Sequence, residues 1–211
     1  MKTHALIDLL ARGAGPAPRA AVARRLAPAA AAGLLASALL AAALLGTVPP
    51  EMFATPAPWI KLVYAGSLAL AAGWLTARLA RPVARLTAPC RTAFAVVLAM
   101  ALLGALGWWA TPADDRITGL LGRSWLACPW SLLGLSLPAL AGALWAVRGL
   151  APTRPRAAGF AAGMLAGALG AFGYALSCPE SALTFVAAWY TSGIALTALL
   201  GAALGPRVLR W

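Results

Sequence analysis

Cysteine is the residue type whose placement in this chain points most directly to chemistry. Two Cys-Pro dipeptides, Cys128-Pro129 and Cys178-Pro179, lie at the ends of separate long apolar runs. Soft thiolates bind thiophilic cations and react with oxidants, and the proline after each cysteine fixes the local backbone. We therefore predict that Cys128 and Cys178 are sensing thiols, and they are also the candidate ligands for a metal ion.

Three roles are open to this pair from the residues alone. A permanent disulfide fits an oxidising compartment, provided that the two Cα atoms lie within about 4.4–6.8 Å of each other. A redox or metal switch fits thiols that are held at a helix boundary. Catalytic thiol exchange normally uses a CxxC pair, which this chain lacks.

The other polar residues do not support enzyme chemistry. His4 is the only histidine, and it lies in the N-terminal tail, across the predicted membrane from Cys128 and Cys178. A Cys-His or Ser-His pair therefore cannot form there. The chain also has no Gly-rich phosphate loop and no cluster with metal-ligand spacing. We predict that it is not an enzyme and that it carries no cofactor.

The elements that must position the thiols are membrane-spanning helices. Hydrophobic residues make up 62% of the 211 residues, charged residues only 10%, and the mean hydropathy is +0.83. A helix needs about 20 apolar residues to cross the hydrocarbon, and continuous runs rich in Ala, Leu and Gly favour helices over barrel strands. The sequence predicts an all-α, polytopic membrane protein with six spans, at about 27–46, 58–79, 92–110, 127–147, 157–176 and 182–205.

Basic residues are distributed unevenly over alternate loops, and this pattern predicts the orientation. Most of them fall in the N-terminal segment, the second and fourth loops and the C-terminal end: Lys2, Arg12, Arg19, Arg24, Arg25, Arg78, Arg81, Arg85, Arg91, Arg148, Arg154, Arg156, Arg207 and Arg210. Short loops rich in Lys and Arg stay on the cytoplasmic side. Both termini are therefore predicted to be cytoplasmic, and Cys128 and Cys178 to lie on the outer face.

The formal net charge of +12 does not predict nucleic-acid binding. The basic residues are spread over several loops, whereas a nucleic-acid site concentrates them in one stripe. Membrane topology and the anionic lipids of the inner leaflet account for the charge. We therefore expect membrane lipids as partners and no direct contact with nucleic acid.

Two features within the spans have structural interpretations. Gly159, Gly163 and Gly167 form an overlapping GxxxG repeat, which lets a neighbouring helix approach closely and favours plain bundle packing. Lys61 lies only a few residues into the second span. We predict that its long stem lets the ammonium group snorkel to the outer interface.

The N-terminal segment, residues 1–26, is the candidate docking element, and residues 27–211 form the six-helix transmembrane domain. Leu6, Ile7, Leu9 and Leu10 give residues 3 to 12 an apolar stripe at helical spacing. A helix this short becomes ordered when it binds. It would dock either on a partner protein or on the lipid surface, and the residues alone favour neither.

The chain resembles the NrsF family of bacterial inner-membrane anti-sigma factors. The resemblance covers essentially the whole chain and rests on Lys2-Thr3 with the tail leucines, on the two outer cysteines, and on the ending from Trp189 through Gly201 to Leu209-Arg210-Trp211. Its most specific part runs from Cys178-Pro179-Glu180 to Trp211.

This resemblance implies a multi-pass inner-membrane protein that sequesters an extracytoplasmic-function sigma factor through its N-terminal tail. It further implies that Cys128 and Cys178 sense oxidative or heavy-metal stress in the periplasm and that the sigma factor is then released. The alternative that composition allows is a small polytopic transporter or lipid-binding membrane protein in which the two cysteines form a structural disulfide.

Overall fold

The computed structural model describes residues 3–13, 20–81 and 84–210, and every regular element within those ranges is a helix. The helices are α1 (Thr3–Gly13), α2 (Ala21–Leu45), a 3-10 turn (Pro50–Ala54), α3 (Pro56–Leu79), α4 (Thr87–Ala110), α5 (Ala113–Leu121), α6 (Ala127–Arg148), α7 (Pro155–Tyr174) and α8 (Leu183–Val208). Helix α8 consists of an initial turn, Leu183–Phe185, a π-helical turn, Val186–Tyr190, and a regular helix, Thr191–Val208. Trp211, the last residue of the stretch that carries the family resemblance, lies outside the described residues.

Six of these helices, α2, α3, α4, α6, α7 and α8, are long and apolar enough to cross a membrane. Each helix satisfies its own backbone hydrogen bonds within hydrocarbon, where no water is present to do so, and its apolar side chains are compatible with lipid. The predicted all-α, six-span architecture is confirmed. The placement of both termini in the cytoplasm stays a prediction.

Helix α7 is the centre of the bundle, and it packs against α2, α3, α6 and α8. Its closest neighbour is α8, because glycines on both helices remove the side chains that would separate them. A Cβ atom added at Gly163 would lie 2.8 Å from the Cα of Ala198, and one added at Gly167 would lie 3.0 Å from the Cα of Ile194. The predicted packing role of the glycine repeat is confirmed.

The alternating direction of the spans gives the bundle two different ends. One end, which we call the cysteine end, contains the starts of α3, α6 and α8 together with Cys128 and Cys178. The other, the arginine end, contains the starts of α2, α4 and α7 and the described arginines Arg24, Arg25, Arg78, Arg81, Arg85, Arg91, Arg148, Arg154, Arg156, Arg207 and Arg210. The acids Glu51, Asp114, Asp115 and Glu180 all belong to the cysteine end.

Candidate functional site

The structure brings Cys128 and Cys178 into one buried cluster at the cysteine end. Cys128 lies in the first turn of α6, and Cys178 lies in the segment that joins α7 to α8. Their exposed fractions are 0% and 1%, and both are free thiols. They lie in one cluster because the antiparallel helices α6 and α7 pack against each other. Cys90, by contrast, is exposed at the start of α4, at the arginine end.

Two tyrosines line the thiol pair. The rings of Tyr174, at the end of α7, and Tyr190, in the π turn of α8, lie 5.6 Å apart with an interplanar angle of 42°. The hydroxyl of Tyr174 interacts with both thiols. The hydroxyl of Tyr190 is buried without a hydrogen-bond partner among the described residues. A π turn inside an α-helix often marks a functional site, and here it places Tyr190 in the same buried cluster as the two cysteines.

Lys61 is the third side chain of chemical interest, and its predicted position is wrong. Its side chain does not snorkel to the interface, because Lys61 is 0% exposed inside the bundle. Its Nζ donates a hydrogen bond of 2.8 Å to the carbonyl oxygen of Cys178 and lies 5.9 Å from the centre of the Tyr190 ring. Both thiols and the Glu180 carboxylate lie near its ammonium group. A cation this deeply buried needs such partners.

Glu180 fixes the segment that precedes α6. Its Oε1 accepts hydrogen bonds from the backbone N–H of Arg123, at 2.8 Å, and from the hydroxyl of Ser124, at 3.1 Å. Gly122 permits this contact, because its φ of +58° favours glycine and a Cβ there would lie 2.7 Å from Oε2 of Glu180. The Cys178-Pro179-Glu180 motif therefore supplies one of the two thiols and also anchors the segment leading to the other.

A tryptophan contact holds α5 and α8 together beside the cluster. The indole N–H of Trp189 donates to the carbonyl oxygen of Leu120 at 2.8 Å, and its ring lies 5.5 Å from that of Trp125. Trp189 precedes Tyr190 in the π turn. The same short turn thus contacts both the α5–α6 connection and the thiols.

Sequence reasoning located the two cysteines and missed Lys61, Tyr174 and Tyr190. A signal for Lys61 was present, because Lys61, Tyr64 and Leu68 recur at the spacing of one helix face, and all three are buried. No comparable signal identified Tyr174 and Tyr190, which become neighbours only when α7 packs against α8.

The cluster offers two sulfur ligands to a metal ion. Within the described ranges, no group of three or more His, Cys, Asp or Glu side chains is placed to hold one. Two neighbouring thiols suit two-coordinate binding of a soft cation or oxidation to a disulfide. The arrangement therefore fits a pair of neighbouring thiols better than a closed tetrahedral metal site.

The N-terminal stripe lies on α1. Ile7, Leu9 and Leu10 have exposed fractions of 55%, 68% and 64%. Leu6 belongs to the same helix, but its side chain lies outside the described residues, as do residues 14–19, which follow the helix. Helix α1 thus presents large apolar side chains that the bundle does not cover.

Comparison with known proteins gives matches that cover most or all of the chain. A family model described as "NrsF: Negative regulator of sigma F" matches residues 10–211. The anti-sigma-F factor NrsF of Caulobacter vibrioides is 39% identical over 214 residues, and the probable anti-sigma-F factor NrsF of Azospira oryzae is 38% identical over 221 residues. Each alignment covers 100% of this chain and 100% of the relative. No solved structure gives a significant match.

Proposed function

Because this chain belongs to the NrsF family of negative regulators of a sigma factor, we propose that it holds an extracytoplasmic-function sigma factor at the inner membrane. Family membership makes it a sigma-factor regulator with no enzymatic activity. In the proposed orientation the arginine end faces the cytoplasm and the cysteine end faces the periplasm, as the distribution of basic residues favours. Oxidative or heavy-metal stress, acting on Cys128 and Cys178, releases the sigma factor.

The observation that carries this proposal is the joint burial of the two free thiols between α6, α7 and α8. Formation of a disulfide, or capture of a soft cation by two sulfurs, imposes a defined distance between the sulfur atoms. The first turn of α6 then moves relative to the α7–α8 connection. Close-packed helices transmit such a shift as a change between discrete packings, because their interior has few voids.

The proposed docking element is α1, which presents Ile7, Leu9 and Leu10 to a groove of the sigma factor. An amphipathic helix lying in an apolar groove is a common mode of recognition. Arg24 and Arg25, in the first turns of α2, place the root of this segment at the arginine end, on the proposed cytoplasmic side. A change in helix packing at that end can therefore alter how the segment is presented.

Thermodynamic linkage sets how much modification of the thiols must change the affinity for the sigma factor. A signal can change the affinity for the sigma factor only by as much as its own affinity differs between the two packings of the bundle. Coupled sites typically differ by about 1–3 kcal/mol, or about 5- to 150-fold in affinity. The proposal therefore requires that modification of the thiols weaken sigma-factor binding by at least about fivefold.

The experiment that tests this function is co-purification from solubilised membranes under reducing conditions, with bound proteins identified by mass spectrometry. The full chain is compared with a chain that lacks residues 3–18. If a sigma factor is recovered with the full chain and not with the shortened chain, the result supports both the function and the role of the tail. If neither form retains a sigma factor, the proposal fails, and substrate flux in vesicles tests the transporter alternative.

A further inference from the structure

An apolar cleft between α2 and α3 has no part in the proposed function, and we propose that it binds an anionic phospholipid. The acyl chains lie in the cleft, and the phosphate group lies among arginines at its arginine end. Neither Cys128 nor Cys178 lines the cleft, whose volume is about 860 Å³. The proposal therefore stands independently of thiol sensing and of sigma-factor binding.

The cleft exists because α2 and α3 share a neighbour and barely touch each other. Both helices pack against α7. Towards α8, helix α7 presents glycines, but between α2 and α3 it presents the large side chains of Leu165, Leu169 and Phe172, which form the floor of the cleft. The two helices therefore stand apart over this floor, whereas α7 and α8 meet closely.

The walls of the cleft carry small residues on the facing sides of both helices. These residues recur at helical spacing, and they are Ala23, Ala27 and Ala30 on α2 and Gly66, Gly73 and Ala77 on α3. A Cβ atom added at Gly73 would have Cδ1 of Leu165 as its nearest neighbour, at 3.8 Å, so the space above the floor is open there. Small walls over an apolar floor leave a slot that suits a hydrocarbon chain.

The position of the cleft in the bundle identifies lipid as its occupant. Both walls are helices long and apolar enough to cross a membrane, so the cleft runs at the depth of the acyl chains. Its rim is open to the outside of the bundle, because Leu70 and Trp74, which line it, are 79% and 39% exposed. Its volume lies within the range of about 300–1,000 Å³ that is typical of ligand pockets. A lipid chain can therefore enter sideways from the bilayer.

Arginines at the arginine end of the cleft provide the site for the headgroup. Arg81 lines the cleft and also, with Arg78 and Arg154, a smaller cavity of about 260 Å³. The guanidinium group of Arg78 lies 5.9 Å from the centre of the Trp74 ring, which lines the cleft. All three arginines are exposed. The charged cavity and the apolar cleft thus adjoin, as the headgroup and the chains of a phospholipid do.

The start of α7 adds to the positive potential of the smaller cavity. Thr153 and Arg154, which line it, come directly before Pro155, the first residue of α7. The N-terminal end of a helix carries a partial positive charge and favours phosphate. The arginine side chains and the helix dipole therefore both favour an anion at this place.

Almost all the acidic side chains lie at the opposite end of the bundle from these arginines. Four of the five acidic residues of the chain, Glu51, Asp114, Asp115 and Glu180, belong to the cysteine end, and the fifth, Asp8, lies on the exposed helix α1. Arginine pairs with phosphate in bidentate geometry, and basic pockets between membrane helices bind anionic headgroups. A lipid phosphate is therefore the counter-ion for which the site is suited.

A lipid in this cleft also contacts the start of α2. Ala20, Val22 and Leu26 line the cleft, and they lie where the N-terminal segment joins the bundle. The backbone N–H groups in the first turn of a helix have no partner within the helix, so they exchange readily with water unless they are covered. Occupation of the cleft should therefore slow hydrogen exchange in residues 20–26, and this effect locates the bound lipid.

Native mass spectrometry of the purified full chain tests the headgroup site with phosphatidylglycerol and phosphatidylcholine of identical acyl chains. Each basic residue near a membrane surface contributes about fivefold to the binding of anionic lipid. We therefore expect phosphatidylglycerol to bind at least about tenfold more tightly, and Arg81→Gln/Arg154→Gln to lose this preference while it still binds phosphatidylcholine. Arg207→Gln is the matched control, because Arg207 is exposed at the same end but lies outside both cavities, and it should keep the preference.

A second pair of variants tests the cleft itself. Gly73→Leu fills the space above Leu165 and should weaken phosphatidylglycerol binding at least about tenfold, since the acyl chains then bury less apolar area. Gly134→Leu is the control, because no atom lies within 4 Å of a Cβ there and Gly134 lies outside the cleft. Phosphatidylglycerol should slow hydrogen exchange in residues 20–26 of the unaltered protein and of Gly134→Leu, but not of Gly73→Leu. Glycerol 3-phosphate, which has no acyl chains, should not displace the lipid.

Several results would overturn the site. Equal binding of the two lipids would show that the arginines select no headgroup, and an equal loss of preference in Arg207→Gln would show general surface attraction. Displacement by glycerol 3-phosphate would indicate a phosphate site that needs no acyl chain. If neither lipid binds until residues 3–13 are deleted, the cleft holds α1 of this chain instead. None of these measurements involves a sigma factor, so the proposed function is tested separately.

Discussion

The hydroxyl of Tyr64 in α3 lies 2.8 Å from the hydroxyl of Thr191 in α8, one residue beyond the π turn. This hydrogen bond joins the helix that carries Lys61 to the helix that carries Tyr190. Hydrogen bonds between membrane helices contribute about 0.6 kcal/mol on average and about 1.7 kcal/mol at most. The bond therefore helps to fix the geometry of the cluster without locking it.

The first prediction concerns this bond. Tyr64→Phe and Thr191→Val should each destabilise the bundle, and a double-mutant cycle should give a coupling of about 0.6–1.7 kcal/mol. Unfolding titrations in detergent measure it. Ser67→Ala is the control, because the Ser67 hydroxyl donates to a carbonyl of its own helix, and it should show no coupling with Thr191→Val.

The second prediction concerns the thiols. Replacement of both Cys128 and Cys178 by Ser should abolish stress-dependent release of the sigma factor, because Ser neither forms a disulfide nor binds soft cations. Insertion and resting sequestration should persist. A reporter driven by the sigma factor, with chromate or cadmium as inducer, measures the response, and Cys90→Ser should respond like the unaltered protein. A normal response in the double variant would contradict the sensing role.

The third prediction concerns Glu180. Glu180→Ala removes the acceptor for the backbone of Arg123 and the hydroxyl of Ser124, and loss of a charged hydrogen-bond acceptor costs about 1.5–3 kcal/mol. The segment that precedes α6 should loosen, and Cys128 should become more accessible. Hydrogen exchange at residues 122–126 and labelling of Cys128 measure the effect. Asp114→Ala, which removes an acidic side chain of α5 at the same end of the bundle, should leave both unchanged.

The fourth prediction concerns the contact between α7 and α8. Gly163→Ala should destabilise the bundle by about 1–3 kcal/mol, because the added methyl group would meet the backbone of α8. Gly134→Ala is the control: no atom lies within 4 Å of a Cβ there, and alanine is the better helix former. Unfolding titrations should show it to be neutral or slightly stabilising.

The fifth prediction concerns the tail. Leu9→Ser/Leu10→Ser should weaken sigma-factor binding at least about tenfold, since burial of a leucine side chain on a partner contributes about 1.5–3 kcal/mol. Binding of the purified full chain to the sigma factor in detergent measures it. His4→Ala, on the same helix, should bind normally. Equal binding by both variants would place the docking surface elsewhere.

Sequence patterns were sufficient to predict the spans, because hydropathy indicates which residues lie within the membrane. They were also sufficient to predict that Cys128 and Cys178 lie close together, because short loops make consecutive helices neighbours. They were insufficient for Lys61. Hydropathy indicates where a residue lies along the membrane normal. Whether Lys61 is buried depends instead on which side of α3 faces α7 and α8. The partners of Tyr190 depend on the π turn, which periodicity at 3.6 residues does not reveal.

That π turn has one further consequence, for the angular phase of α8. The extra residue between Val186 and Tyr190 advances the helix by about 100° relative to an uninterrupted α-helix, at 3.6 residues per turn. The residues before the π turn have one angular position around the helix axis, and Phe185 is buried there. After the turn, Gly193, Gly201 and Gly205 have a different angular position and face their neighbours. Deleting a single residue there would restore an ideal helix and turn one of these surfaces away from its partner. The irregularity allows one helix to match both the thiol cluster and the glycine contact.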